Sequence, residues 1–416
     1  MLAWLLITAV GAAIHWAAWL DPSRGVEGAI GERSVVKVLA NIQHMITMPA
    51  WAVMNVLRNR WGVDSVWWSV LTLAIGWGTI VYLVQGIVRT RRRIVSGRAM
   101  NMVPGEVVTP GQVPPAVDLS RRRVLFDAAL GGAGLAAGAA LVRGVMTEPW
   151  DLVVRRYTIP LHDLPRGLEG YRIVQVSDTH LGPRIPASYV RAAVEMALSL
   201  KPDLVALTGD YIHMGVKYQD TAAGLFAPLA HGPRAVPVVG TLGNHDWWGD
   251  GPAMSLALSR VGVNMIDNAR VYLRASDRAI VYEAPEGGDG LCIAGFGDLR
   301  EHMIDPWGTL GTVPRDMARV VLAHNPDSAE EMEFSHRTPP RLDLMISGHT
   351  HGGQFNMPVI GTPGAFIPSR YGGKYAGGLV QGPHCRVLVS RGVGMSIFPM
   401  RLGVPPELVE ITLTRA

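Results

Sequence analysis

Five short polar strings, each placed directly behind a short apolar run, constrain this chain more than any other feature of its 416 residues. The strings are Asp178-Thr-His180, Gly209-Asp210, Gly243-Asn244-His245-Asp246, His324 and Gly348-His349-Thr-His351. The runs before them cover residues 172–177, 204–207, 236–239, 319–323 and 342–346, and are β-branched or aliphatic, as strands buried on both faces require. Between the first two runs, residues 186–200 open on a proline and carry Val190, Val194 and Leu198 at helical spacing, with Pro202 just beyond. Such alternation predicts an α/β arrangement, in which ligand sites lie beyond the carboxyl ends of the strands. The five strings therefore converge on one crevice.

Together the strings supply three carboxylates (Asp178, Asp210, Asp246), five imidazoles (His180, His245, His324, His349, His351) and the Asn244 amide. None of these donors is a thiolate. Oxygen and nitrogen donors without sulfur suit Mn, Fe or Zn in a reactive site, and the number of donors exceeds what one ion needs. Two divalent metal ions are implied. A carboxylate shared between ions about 3.5–4 Å apart lets both act as Lewis acids, activate water and clamp a phosphoryl oxygen.

The strings resemble, in order, the calcineurin-like metallophosphoesterase pattern D-x-H, G-D, G-N-H-D/E, H, G-H-x-H, over the region from about Tyr157 to the C-terminus. Uniform residue usage would give either four-letter string about once in 10⁵ positions, so finding both in order is a specific signal. The closing segment carries a narrower likeness. Gly352-Gly-Gln354, Tyr371-Gly-Gly-Lys-Tyr375, Ser390-Arg-Gly-Val-Gly394 and Arg401-Leu-Gly-Val-Pro-Pro-Glu407 resemble the membrane-tethered or twin-arginine-exported branch, which includes transmembrane proteins with a metallophosphoesterase domain.

The resemblance implies a four-layer α/β/β/α sandwich and hydrolysis of a phosphomonoester, phosphodiester or pyrophosphate. It places one metal on Asp178, His180, Asp210 and His351, and a second on Asp210, Asn244, His324 and His349, with Asp210 bridging. His245 is left beside the substrate to protonate the leaving oxygen or steady the phosphoryl oxygens. Asp246 then serves as its supporting carboxylate or as a plain loop residue. Relatives associated with cleavage of UDP-2,3-diacylglucosamine suggest a lipid-linked or envelope substrate. A non-hydrolytic membrane sensor of a phosphorylated ligand is the alternative from another class, and it would not need the complete donor set.

Other polar residues read more plainly. His213, His231, His302, His336 and His384 are expected to be ordinary surface or core histidines, His213 being the least ordinary because it follows Asp210 by three positions. Asp298, after the apolar run 291–294, reads as a turn aspartate. Cys292 and Cys385 form neither a disulfide framework nor a metal motif.

The first 150 residues hold 14 of the Lys and Arg and 8 of the Asp and Glu, whereas the remainder holds 24 and 26. All of the basic excess therefore lies upstream of the enzyme-like region and flanks hydrophobic stretches, which points to a membrane and not to nucleic acid. Residues 2–20 and 66–88 contain no Asp, Glu, Lys or Arg and are long enough to cross a hydrocarbon core of roughly 30 Å. Residues 35–57 read as a third span or an interfacial helix, so that 1–99 forms a membrane region. Residues 100–120 read as a linker. Residues 121–145, opening on Arg121-Arg122-Arg123, resemble a twin-arginine signal and equally an ordinary spanning helix, the former implying the twin-arginine translocase as a partner. Both readings keep the arginines in the cytoplasm and send the domain that follows, 157–416, to the extracytoplasmic side of a multi-pass cell-membrane protein.

Overall fold

The computed structural model describes residues 139–140, 142–333, 340–356, 361–396 and 399–416. Its first half runs β1 (Val153–Leu161), β2 (Arg172–Val176), α1 (Ala187–Ser199), β3 (Leu204–Leu207), α2 (Gln219–Ala230), β4 (Val238–Gly240), α3 (Asn244–Arg260) and β5 (Asn264–Met265). The second half runs β6 (Ala269–Arg274), β7 (Ile280–Val281), β8 (Gly290–Gly295), α4 (Pro306–Leu310), β9 (Ala318–Leu322), β10 (Leu344–Ser347), β11 (Gly378–Gln381), β12 (Arg386–Val389) and β13 (Glu407–Arg415). Each of the five apolar runs contains a strand, and the helix expected over 186–200 is α1. β4 starts later than its run because Pro237 has no N–H to give the ladder, although its carbonyl accepts from Val205.

The strands form two mixed sheets, ordered β1-β13-β2-β3-β4-β5 and β11-β12-β10-β9-β8-β6-β7. In the first, β2 to β5 run parallel, and β13 is parallel to β1 but antiparallel to β2. In the second, β12, β10, β9 and β8 run parallel, with antiparallel strands at both edges. The motif-bearing strands β2, β3, β4, β9 and β10 all belong to parallel stretches, so within each sheet their carboxyl ends share one edge.

Alternation along the strands separates three buried clusters. Between the sheets lie Ile173, Leu204, Val239 and Ile411 from the first and Ile293, Val320, Ile346 and Leu388 from the second. The opposite face of the first sheet, with Val174, Val205 and Leu207, packs on Val190, Val194, Phe226 and Leu258 of α1, α2 and α3. The opposite face of the second, with Cys292, Val321, Met345 and Val387, is covered by α4 and short helical turns through Leu310, Ala329 and Tyr375. Cys292 and Cys385 are both buried and free.

The spans expected over 2–20 and 66–88, the stretch 35–57, the linker 100–120 and nearly all of 121–145 lie outside the described residues, as does His336. Among the described residues no helix is long and apolar enough to cross a membrane.

β13 holds the first sheet together, because it supplies the ladder on both sides, to β1 and to β2. Ile411 lies at its centre, fully buried between the sheets. Ile411→Ala should destabilise the protein by about 2–5 kcal/mol, the usual range for emptying a tightly packed core position. A urea titration followed by circular dichroism checks this, and an unchanged midpoint would contradict the central role of β13.

Candidate active site

Each motif residue stands in the first turn after its strand, where the chain must turn sharply. Asp178, His180, Asp210, His349 and His351 all have left-handed backbone, with φ between 48° and 70°. Asp and His tolerate that region better than branched residues, at a cost of about 1–2 kcal/mol each. The glycines in the strings have a separate reason. A Cβ on Gly348 would collide with Ser177 Oγ and the Asp178 carboxylate, and one on Gly243 would collide with Asp210 and His324. The strings pack against one another too tightly for side chains at those positions.

The result is two adjoining groups of donors. Asp178, His180 and His351 bring ligand atoms within 4.8 Å of one another, as do Asp210, His324 and His349. His180 Nε2 and His351 Nε2 are 2.9 Å apart, and His351 Nε2 is 3.3 Å from Asp178 Oδ1. In the second group His324 Nε2 is 3.2 Å from His349 Nδ1. Asp210 Oδ2 faces both groups, at 3.5 Å from His180 Nε2 and 3.2 Å from His324 Nε2. Asn244 is buried, and its Oδ1 has no hydrogen-bond partner among the described residues. Buried lone pairs aimed at common points fit a pair of divalent cations better than any protein-only arrangement, since a buried acceptor left without a partner is costly.

Backbone carbonyls and amides fix how these donors point. His324 Nδ1 lies 2.7 Å from Thr208 O, so it carries the proton and leaves Nε2 as the free donor. Asp178 accepts from His349 N at 3.0 Å and from the Ser177 hydroxyl. His245 N donates to Asp210 Oδ1 at 2.9 Å, its Nδ1 lies 2.5 Å from His213 O, and its Nε2 lies 3.4 Å from Ser396 Oγ. The His245 ring is also packed between the rings of His180 and Trp248, with centroid distances of 4.6 and 4.3 Å.

Burial and mutual charge set the protonation of the cluster. Burial holds His180, His349 and His351 well below the ordinary imidazole range, which keeps them neutral as ligands must be. Burial pushes Asp178 up to about 6, opposed by His324. Burial would also lower His324, but the adjacent Asp210 carboxylate outweighs it and raises this imidazole to about 10, so an ion taken up at Nε2 would displace a proton from it. Asp210 goes the other way: burial works against its charge, yet His324 holds it well below the usual carboxylate range.

All nine motif residues thus come together, and Asp246 takes the second of the two parts the sequence leaves open for it, that of a loop carboxylate. Its carboxylate does not orient the His245 ring. It accepts from the backbone amides of Asp210 (2.8 Å), Tyr211 (2.9 Å), Ile212 (3.3 Å) and Gly243 (2.9 Å), and so ties the loop after β3 to the start of α3. The His245 ring is oriented instead by the His213 carbonyl. Asp298 is the turn aspartate expected, accepting from the amides of Arg300 and Glu301. His302 stacks on Trp247 at 4.6 Å, an ordinary packing role.

His213 departs from expectation, because its ring stacks on His245 at 5.2 Å and groups with His180 and His245. Arg401 and Ser396 carry roles that motif spacing does not reveal. Arg401 is fully buried, and its guanidinium donates to the carbonyls of Gly394, Arg391, Gly392 and Val404 while lying 3.3 Å from His351 Nδ1. Burial lowers this guanidinium to about 10. Val393 N and Gly394 N in turn donate to the carbonyls of Ser177 and Asp178. The closing strings at 390–394 and 401–407 are therefore the frame behind the first donor group, whereas Tyr375 of the string at 371–375 donates to Glu330 and packs on the outer face of the second sheet.

A model of the calcineurin-like phosphoesterase family matches residues 171–353. The uncharacterized metallophosphoesterase YkuE of Bacillus subtilis is 31% identical over 301 residues, covering 71% of this chain and 98% of the relative. A transmembrane protein with metallophosphoesterase domain from Danio rerio is 28% identical over 314 residues, covering 72% and 67%. The phosphodiesterase YaeI of Escherichia coli is 29% identical over 247 residues, covering 58% and 82%.

Because Asp246 satisfies four backbone amides at once, Asp246→Ala should destabilise the protein by on the order of 3 kcal/mol, the cost of leaving buried donors without an acceptor. Asp246→Asn keeps one acceptor oxygen and should lose less. Thermal unfolding of both variants tests the ranking, and equal stability of the alanine variant and wild type would show that water takes over the contacts.

Proposed function

Because the chain belongs to the calcineurin-like phosphoesterase family, a family of metal-dependent phosphoester hydrolases, we propose that Asp178, His180, Asp210 and His351 hold one divalent ion and Asp210, Asn244, His324 and His349 a second. The observation that carries this is the single Asp210 oxygen facing both donor groups. Mn, Fe or Zn suits these donors. When bound, such a pair supplies Lewis acidity and activated water for in-line attack on phosphorus.

The chain's own groups supply the rest. His245 donates from Nδ1 to the His213 carbonyl, which turns Nε2 toward the site; in the imidazolium form Nε2 carries the proton delivered to the leaving oxygen. Asp246 keeps that imidazole in place indirectly, through the two loops it joins. The burial pattern fits a four-layer α/β/β/α sandwich with the site at one edge of both sheets. The substrate is a phosphomonoester, phosphodiester or pyrophosphate, with lipid-linked or envelope compounds favoured by the apolar stretches over 2–20 and 66–88 and by the transmembrane relative.

Asp210→Asn should reduce bound metal towards one ion or none and lower turnover by several orders of magnitude, read by elemental analysis beside hydrolysis of a nitrophenyl ester. His245→Asn should retain most of the metal and lose about 10²–10⁴ in rate, with a smaller loss for good leaving groups. Full metal content and a near-normal rate in Asp210→Asn would sink the bridging role. A rate loss in His245→Asn that ignores the leaving group would reassign the imidazole to charge stabilisation.

The arginine clusters at 89–93 and 121–123 place the linker in the cytoplasm and the hydrolase domain outside. Protease added to intact spheroplasts should degrade or release the hydrolase domain and spare the linker. Arg121→Lys with Arg122→Lys should trap the domain inside if export uses the twin-arginine route, and a domain protected in wild-type spheroplasts would overturn the topology.

A further inference from the structure

We propose that the mouth of this site lies against a lipid bilayer and draws an amphiphilic phosphoester from it, a proposal that rests on the reading of the site as a phosphoesterase. Isolated exposed apolar residues are normal on any protein, but here their distribution is uneven. Four large ones belong to segments that touch His245 or its chain neighbours: Met214, Val216, Trp248 and Met303, with exposures of 54, 57, 51 and 74%. Met214 directly follows His213, whose carbonyl holds His245, and Val216 lies two residues further on. Trp248 packs on the His245 ring, and its Nε1 donates to Glu301 at 2.8 Å. Met303 follows His302, which stacks on Trp247.

The second observation is where the chain comes in. Residues 121–145 are the stretch read as a signal or membrane segment, and Val142 and Met146, either side of Gly144 at its end, are 60 and 65% exposed. Between them, Gly144 O accepts from Arg401 N at 2.9 Å. Five residues before Arg401, Ser396 Oγ reaches His245 Nε2 at 3.4 Å. Five residues span at most about 18 Å, and a domain of this size has a radius of gyration of about 18 Å. The path from Gly144 through Arg401 and Ser396 to His245 is thus at most about 27 Å, well under the diameter of such a domain, and a segment inserted in the membrane there keeps the apolar mouth near the bilayer surface. Acyl chains of a substrate stay in the lipid while the phosphate enters the site.

The test uses the full chain reconstituted in phosphatidylcholine–phosphatidylglycerol vesicles. An environment-sensitive fluorophore is placed at Met214→Cys or, as control, at Tyr282→Cys, which is 74% exposed directly after β7 of the second sheet; the native cysteines are buried. Spin-labelled lipid should quench the probe at 214 at least threefold more than at 282. Hydrolysis of hexadecyl nitrophenyl phosphate in the vesicles is then compared with methyl nitrophenyl phosphate, which has the same leaving group. The kcat/KM ratio should favour the hexadecyl ester at least tenfold and fall towards one in the Met214→Glu, Val216→Glu, Met303→Glu variant. Equal quenching at 214 and 282, or a wild-type ratio near one, would overturn the proposal. Differential quenching without turnover of either ester would support the bilayer contact and count instead against the phosphoesterase reading on which the substrate depends.

Discussion

The protein is organised around the burial of charge at the ends of parallel strands. Asp178, Asp210 and Asp246 are almost completely buried and lie beside His180, His324, His349 and His351. A buried carboxylate without partners is too costly to keep, so each must find cations or donors. Asp246 finds four backbone amides, and Asp210 finds His324 and the His245 amide. Asp178 has one amide and one hydroxyl, and burial still raises it to about 6.

Backbone strain points to the same place. Ten non-glycine residues among those described have left-handed backbone, and five of them are motif residues. At about 1–2 kcal/mol each, the five together cost on the order of 5–10 kcal/mol, comparable with the whole stability of an ordinary domain. Such conformations persist only where surrounding bonds over-determine them. Here those bonds are visible: Asp178 N and His180 N donate to the carbonyls of Gly209 and Asp210, so two strained turns hold each other. The donors are consequently arranged before any ion arrives, and binding need not spend its free energy on ordering them.

The sequence reveals the site better than it reveals the sheets. The strings at 178–180, 209–210, 243–246, 324 and 348–351 carry their chemistry in residue type, and the runs before them are fully buried, so β2, β3, β4, β9 and β10 announce themselves. β1 and β13 do not, because β13 alternates buried and half-buried positions and pairs with strands more than two hundred residues away. β6, β7 and β11 are short edge or near-edge strands whose partners no local pattern can name. The partner of Asp246 was illegible for a related reason. Adjacency in sequence suggests that it serves His245, whereas its hydrogen bonds go to amides brought near by the fold, which no spacing rule reports.

The most distant dependence runs through the C-terminal strand. Glu407, the first residue of β13, is 2% exposed, and its Oε1 accepts from Arg391 N at 3.0 Å. Arg391 O and Gly392 O accept from the Arg401 guanidinium, which meets His351 Nδ1 on the side away from the Nε2 that faces Asp178. Gly392 lies so close to Asp178 that a Cβ there would press on the Asp178 side chain, and its left-handed φ of 72° independently favours glycine. The strand that completes the first sheet thereby also closes the wall behind the donors Asp178 and His351. The site and the first sheet therefore become ordered by the same pairing, that of β13 with β1 and β2.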